Sequence, residues 1–480
     1  MILQGGTALI TQDERIECKK ADIRIEGAHI TELKTHLSAR EGEEVVDAGG
    51  KLILPGLVNA HYHSYSNLLK GTTWGEPLEV WTPDTVALGG RMDEKRMQLS
   101  AQLGIVEMLR CGVTSCLDHI PHLNQVDAIA RVYAQSGFRA SIAPMIADRS
   151  DDQILPGLAQ ALQAGGCPAA INHFRSMDEV TQLYEGWIKD WHRPGGTLRV
   201  AVGINSPQRA SITALETACE ISRKHRLKVH AHFLETSWQA QAAAQDGEDP
   251  LSKLEKADLL NSDLSLAHCI WLSKAQWKRL EKAGSCVVHN PTSNLLLGSG
   301  KMELTSLIGN GLRVAVGSDG SNCATGHNIL EITRTAILLS RLEHPDYWNW
   351  LTQQDALSMM TINGSAASGW PGETGAIAPG MLADIVLMDE RTSALLPAYD
   401  ILTQLLLQQD SIRATDVLIH GAWMMRNKQI LCLDENAIYQ EAIEQQTELS
   451  SEFSTILQNQ SIYKNIISNE YQKRVLSFKG

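Results

Sequence analysis

Residues 56–63 read GLVNAHYH, a run without a charged residue that closes on two histidines, His61 and His63. In an extended chain alternate side chains share a face, so these two imidazoles project together at the end of one strand. A continuous apolar run of this length suits a strand covered on both sides, as in parallel sheets. Seven further runs have the same texture: GVTSCLDH (112–119), RASIAPMI (139–146), LRVAVGIN (198–205), LKVHAHFL (227–234), LSLAHC (264–269), SCVVHN (285–290) and LRVAVGSD (312–319). Between them lie helical stretches at 93–110, 211–225 and 273–283, the last with Ser273 as N-cap and Gly284 as stop. Strands alternating with helices predict the α/β class, and eight such units predict a (β/α)8 TIM-type barrel over residues 57–371.

The flanks read differently. TALIT, ADIRIEGAHITEL and EVVDAGGKLILPG precede the barrel, and ADIVLMDE and DVLIHGAWMMRNKQIL follow it. Both sets are short strands, so residues 1–56 and 372–435 are expected to build one small β-sandwich domain from the two ends of the chain. Residues 436–480 place Ile438, Ile443, Leu449, Phe453 and Ile456 among polar residues, predicting an amphipathic helical extension docked on the barrel or on a second subunit.

Composition excludes several classes of function. In 480 residues, 42 Lys and Arg stand against 55 Asp and Glu, a net charge of −13. That balance disfavours nucleic acid and anionic membranes, which require clustered cations. No apolar run approaches the ~18–20 residues of a membrane span. The opening residues lack the pattern of a secretory signal. Nine cysteines occur without any CxxC pair, as expected of reduced thiols in a cytoplasmic protein. No Gly-rich phosphate loop precedes a helix, so a cofactor-dependent barrel enzyme has no support.

Chemistry-bearing residues end several of the predicted strands, at the barrel mouth where such folds carry their sites. His61 and His63 can present neutral nitrogens to a divalent metal. In VHAHFLE, His232 lies nearest the mouth and is the better ligand; His230 sits a layer deeper, hydrogen-bonded in the interior or supporting a ligand. Glu235 either moves protons beside a metal-activated water or caps the following helix. His268 ends the sixth strand, and Asp319 ends the eighth, where a carboxylate after Val-Ala-Val is hard to explain as core. His289 and the Asp118-His119 pair hold similar places. For substrate, KGTTWGEPLEVWTPD (70–84) is a candidate lid whose Trp74 and Trp81 either stack on a planar ring or anchor the loop. Gln208 is placed to bond a heterocycle edge, with Arg209 and His173 as further candidates.

LILPGLVNAHYH, VHAHFLET, LAHC, VVHNPTSNLLLGSG, VAVGSDG and GAIAPGMLADIVLMD together resemble the amidohydrolase superfamily. The resemblance is to the branch of cytosine and guanine deaminases, adenosyl-homocysteine deaminase and triazine chlorohydrolases, and it covers nearly the whole chain. It implies His61, His63, His232 and Asp319 as ligands of one divalent metal, usually Zn2+ and sometimes Fe2+. It also implies Glu235 as proton shuttle, His268 as the residue orienting the attacking water, and a homodimer. The fourth strand carries no lysine, so a two-metal site on a carboxylated lysine is not supported. The expected reaction is deamination of an amino-substituted N-heterocycle, because a departing amine needs the proton donor that Glu235 supplies. The rivals are cyclic amide or ureide ring hydrolysis (or closure in reverse), hydrolytic dechlorination, and an inactive scaffold homologue.

Overall fold

The computed structural model of the chain describes residues 1–12, 15–167, 174–247, 249–408 and 412–475. Each of the eight apolar runs carries strand structure, from Leu57–His63 to Arg313–Val316. All pair in parallel, in the order Arg313–Val316, Cys286–His289, Leu264–His268, Val229–Phe233, Val202–Ile204, Arg139–Ile146, Val113–Ile120, Leu57–His63 and finally Asp319–Gly320. The two terminal members belong to one stretch of chain: residues 313–316 pair with Cys286–His289, and Asp319–Gly320 pairs with Tyr62 and His63. The sheet therefore curls until its ends approach, and helices cover its outer face. Its strands are buried along almost their whole length, which is why the sequence shows continuous rather than alternating apolar runs.

Gly317 lies between Arg313–Val316 and Asp319–Gly320, close against His61. A methyl group there would come within 2.5 Å of Asn290 Oδ1 and 2.7 Å of His61 Cβ. Gly317→Ala should therefore displace His61, costing ~1–3 kcal/mol of stability. A denaturant titration measures the loss.

The surrounding helices follow local rules. Glu94–Arg110, Ile212–His225 and Lys274–Ala283 start from Asp93, Ser211 and Ser273, whose side chains accept from the third residue on. Gly284 closes the last of these in the left-handed region at φ 69°. Residues 78–84, read from sequence as part of a lid loop, belong instead to a helix, Leu78–Gly90, that contains Pro83. Proline argues against a helix interior, but burial of Val80, Trp81, Thr85 and Leu88 outweighs that local preference.

Strands from both ends of the chain join in a single nine-stranded sheet, with Lys51–Pro55 lying antiparallel to Ile385–Asp389 at the seam. Their shared core includes Leu3, Ile23, Ile53, Ile385 and Leu418. The tail forms one long helix, Glu435–Val475. Ile438, Leu449 and Phe453 are buried along it, but Ile443 is 63% exposed. Ile443 lies five residues beyond Ile438, well off a stripe built on spacings of three and four.

Candidate metal centre and substrate cavity

At the C-terminal mouth of the curled sheet, His61, His63, His232, His268 and Asp319 converge, all but His232 nearly excluded from solvent. The ring nitrogens that face away from the centre are occupied. His61 Nδ1 lies 2.8 Å from His230 Nε2, and His230 Nδ1 lies 2.8 Å from Ser265 Oγ. Burial pushes the His230 imidazole down to about 3, and because the Ser265 hydroxyl donates to the Val229 carbonyl it accepts from His230 Nδ1, leaving His230 Nε2 to accept from His61. His63 Nδ1 donates to the His119 carbonyl, and His232 Nδ1 donates to that of Asn205 at 2.7 Å. These bonds fix the tautomers and leave the Nε2 lone pairs of His61, His63 and His232 pointing inward.

The inward atoms form the donor set of a cation site. His63 Nε2 is 3.4 Å from His232 Nε2, and the Asp319 Oδ1 carboxylate oxygen lies 3.2 Å from His63 Nε2 and 3.7 Å from His61 Nε2. His61 Nε2 is buried with no hydrogen-bond partner. Inward lone pairs this close repel unless a positive charge sits among them, and such an orphaned nitrogen is costly without a ligand. Protons respond to the same field. Burial disfavours a charged His63, but the hydrogen bond and charge of Asp319 outweigh it and raise its pKa. Burial would also raise Asp319, yet His63 and His61 hold its carboxyl well below the usual range. Nitrogen and carboxylate donors at this density fit a divalent cation of the zinc type.

Asp319 and His268 occupy the left-handed region, at φ 67° and 71°, as do Leu234 and Cys269 beside them. Clustering of such strain at the mouth is a mark of a functional site. Ser293 Oγ donates to Asp319 Oδ2 at 2.7 Å, and Asn294 Oδ1 accepts from His268 Nδ1 at 2.9 Å. Burial lowers the pKa of His268, so its neutral ring turns an Nε2 lone pair towards the centre, 3.5 Å from Glu235 and 3.7 Å from Asp319. Burial, and then the charge of Asp319, push Glu235 up to about 8.

A cavity opens above this centre, lined on its floor by His63, His232, Glu235, His268 and Asp319. Trp81, Met145, Arg209, Gln239 and Leu297 are among its walls. The structure brings Trp81 to the cavity but not Trp74, which is 90% exposed and lies by the C-terminal helix. Gln208 lines a neighbouring cavity with Glu79 and Asp151 instead, its amide nitrogen and oxygen both without partners. Arg209 borders both cavities and is paired with Asp151. His173 lies outside the described residues.

His119, placed at the mouth by the sequence, turns inward: one of its ring nitrogens groups with those of His61 and His232 within 4.8 Å, and neither of its nitrogens has a partner. Two features escaped the sequence reading. Ser293 and Asn294, inside the quoted NPTSN stretch, anchor Asp319 and His268. Glu79 is buried against Thr236, and burial raises its carboxyl to about 7. An uncharged polar cluster directly after a strand was the available signal for the first two anchors.

The amidohydrolase family profile matches residues 52–424. A 5-methylthioadenosine/S-adenosylhomocysteine deaminase of Pyrococcus abyssi is 28% identical over 92% of this chain and 98% of its own length. A 5'-deoxyadenosine deaminase of Methanosphaera stadtmanae is 28% identical over 90% and 97%. Among solved structures, a zinc-bound adenosine deaminase from Xanthomonas campestris superposes with a TM-score of 0.78 at 24% identity, covering 94% of this chain and 98% of that one. The zinc complex of an atrazine chlorohydrolase from Arthrobacter aurescens gives 0.83 at 22%, covering 92% and 99%. Both structural likenesses speak to the fold.

Proposed function

Because the chain belongs to the amidohydrolase family, we propose that it is a metal-dependent deaminase of an amino-substituted N-heterocycle, with adenine nucleosides as the first class to examine. The observation that carries the reading is the inward-facing set of His61, His63, His232 and Asp319 with a buried Glu235 beside it. Those four residues would hold one divalent cation, zinc before iron, which when bound supplies a Lewis acid that acidifies water near neutral pH. As water adds to the ring carbon bearing the amino group, Asp319 and Glu235 share its proton. Glu235 then passes a proton to the amino nitrogen, and ammonia leaves. Neutral His268, held through Nδ1 by Asn294, accepts a hydrogen bond from the attacking water at Nε2. Trp81 offers its ring to the heterocycle, while Arg209 and Gln239 reach the polar rim of the cavity.

Several finer readings go with this one. We divide the molecule into a metal-dependent (β/α)8 barrel at 57–371, a small β-sandwich domain at 1–56 and 372–435, and a helical extension at 436–480. We also assign it cytoplasmic residence and a homodimeric state. The net acidic charge and nine free cysteines support the first assignment. Among the described residues no helix is long and apolar enough to cross a membrane.

The test joins metal analysis to a panel assay. The purified protein should carry about one zinc or iron per chain and release ammonia from 5'-deoxyadenosine, S-adenosylhomocysteine or 5-methylthioadenosine, with the ring amino group replaced by oxygen. Chelation should abolish the release and zinc should restore it. Chloride release from a chlorotriazine without any ammonia from the nucleosides would favour dechlorination. A folded, metal-free and inert protein would leave the scaffold reading.

A further inference from the structure

The C-terminal helix Glu435–Val475 lies beyond the span matched by the family profile, yet it touches the walls of the substrate cavity. The lid helix Leu78–Gly90 has two working stripes. Leu78, Trp81, Thr82 and Thr85 border the cavity, whereas Val80 and Asp84, four residues apart on another stripe, face the C-terminal helix. Val80 packs with Ile467, Trp238 and Leu158. Asp84 is 1% exposed, and its Oδ2 pairs with the Lys464 ammonium, which also reaches Glu76 Oε1 at 2.7 Å. The other Asp84 oxygen is buried with no partner. Tyr471 of the same C-terminal helix packs its ring against Trp238, on the helix that starts directly after Glu235 and Thr236.

Pro83 makes this clamp consequential. It supplies no backbone N–H, so the Glu79 carbonyl lacks its partner one turn on, and the lid helix is loosened immediately before Asp84. A buried carboxylate held by one ammonium cannot keep its place once that ammonium goes; it must turn towards water, taking the helix with it. On the far side, Glu79 is tied to Thr236, so movement at Asp84 twists Trp81 and Thr85 relative to the cavity.

We propose that the C-terminal helix, acting through Lys464 on Asp84, sets the position of the substrate-facing stripe of the lid helix, making Lys464 a positioning residue for substrate binding. The kinetic part rests on the deaminase reading; the structural part does not. The experiment compares the full-length protein with Lys464→Met and Lys464→Arg. Hydrogen exchange of the peptide spanning residues 78–90 should quicken about tenfold in Lys464→Met and return close to the wild-type rate in Lys464→Arg. With 5'-deoxyadenosine as probe, KM should rise about tenfold in Lys464→Met while kcat and bound zinc change little. Unchanged exchange in that peptide overturns the proposal, as does a fall in kcat and zinc with KM unaltered. Should Lys464→Met not fold, Lys464→Gln removes the charge while keeping a polar side chain, and the same two outcomes decide. If the wild-type protein deaminates no nucleoside, the functional reading fails while the exchange measurement still judges the clamp.

Discussion

Replacing Glu235 by glutamine should lower kcat by ~10²–10⁴-fold while leaving the bound metal in place, the usual worth of a general acid/base. The geometry separates the proton-carrying role from a structural one. Glu235 is 3% exposed and lies two residues beyond the strand Val229–Phe233. Its backbone N–H donates to Gln239 Oε1 at 2.9 Å, and its carboxylate accepts from Ser299 at 3.3 Å. Glutamine keeps the volume and can still accept from Ser299, so placement survives. What it cannot do is take a proton from water and release it to a departing nitrogen. Burial and the neighbouring Asp319 push this carboxyl up to about 8, so its proton affinity lies near the operating range of a neutral-pH catalyst. Steady-state kinetics with metal analysis on the same sample make the check. Unaltered turnover removes Glu235 from the chemistry, and lost metal moves it among the supports of the centre.

The strands and the centre were legible in the sequence for the same reason. A parallel strand buried on both faces needs an unbroken apolar run, so a histidine or aspartate at the end of such a run stands out. His61, His63, His232, His268 and Asp319 each end a buried run in this way. Features that depend on how separate elements meet were not legible. Nothing local distinguishes Trp81, which turns into the cavity, from Trp74, seven residues earlier and turned to solvent. The candidate lid gave no sign that tertiary burial imposes a helix over Leu78–Gly90 in spite of Pro83. Ile443 matched the composition of its helix but not the stripe. Gln208 follows the fourth strand as expected, yet the short 3-10 turn Pro207–Arg209 carries it into the neighbouring cavity. The left-handed backbone at Asp319 and His268 leaves no trace in residue type, because neither is glycine.

Arg139→Met should destabilise the protein by ~3–5 kcal/mol without changing kcat, because it breaks a buried ion pair at the end of the sheet remote from the metal centre. Arg139 begins the strand Arg139–Ile146 and is fully buried. Its guanidinium meets the Asp384 carboxylate at 2.6 and 2.9 Å in a two-pronged arrangement, donates to the Gly196 carbonyl, and lies 4.4 Å over the Trp370 ring. Asp384 immediately precedes the strand Ile385–Asp389 of the nine-stranded sheet and also accepts from the His420 backbone. The pair therefore fastens the curled sheet to the sheet built from both chain ends. Removing the cation alone strands a carboxylate that cannot reach water, which is the costly half of the change. Arg139→Met combined with Asp384→Leu should then recover much of the loss, since two apolar groups of similar volume need no partner. Denaturant titrations of the two single variants and the double variant measure the coupling directly. A single variant as stable as the wild type would show the pair to be dispensable. A double variant no better than Arg139→Met would show that the fastening depends on the guanidinium's contacts with Trp370 and Gly196 rather than on relief of the buried charge.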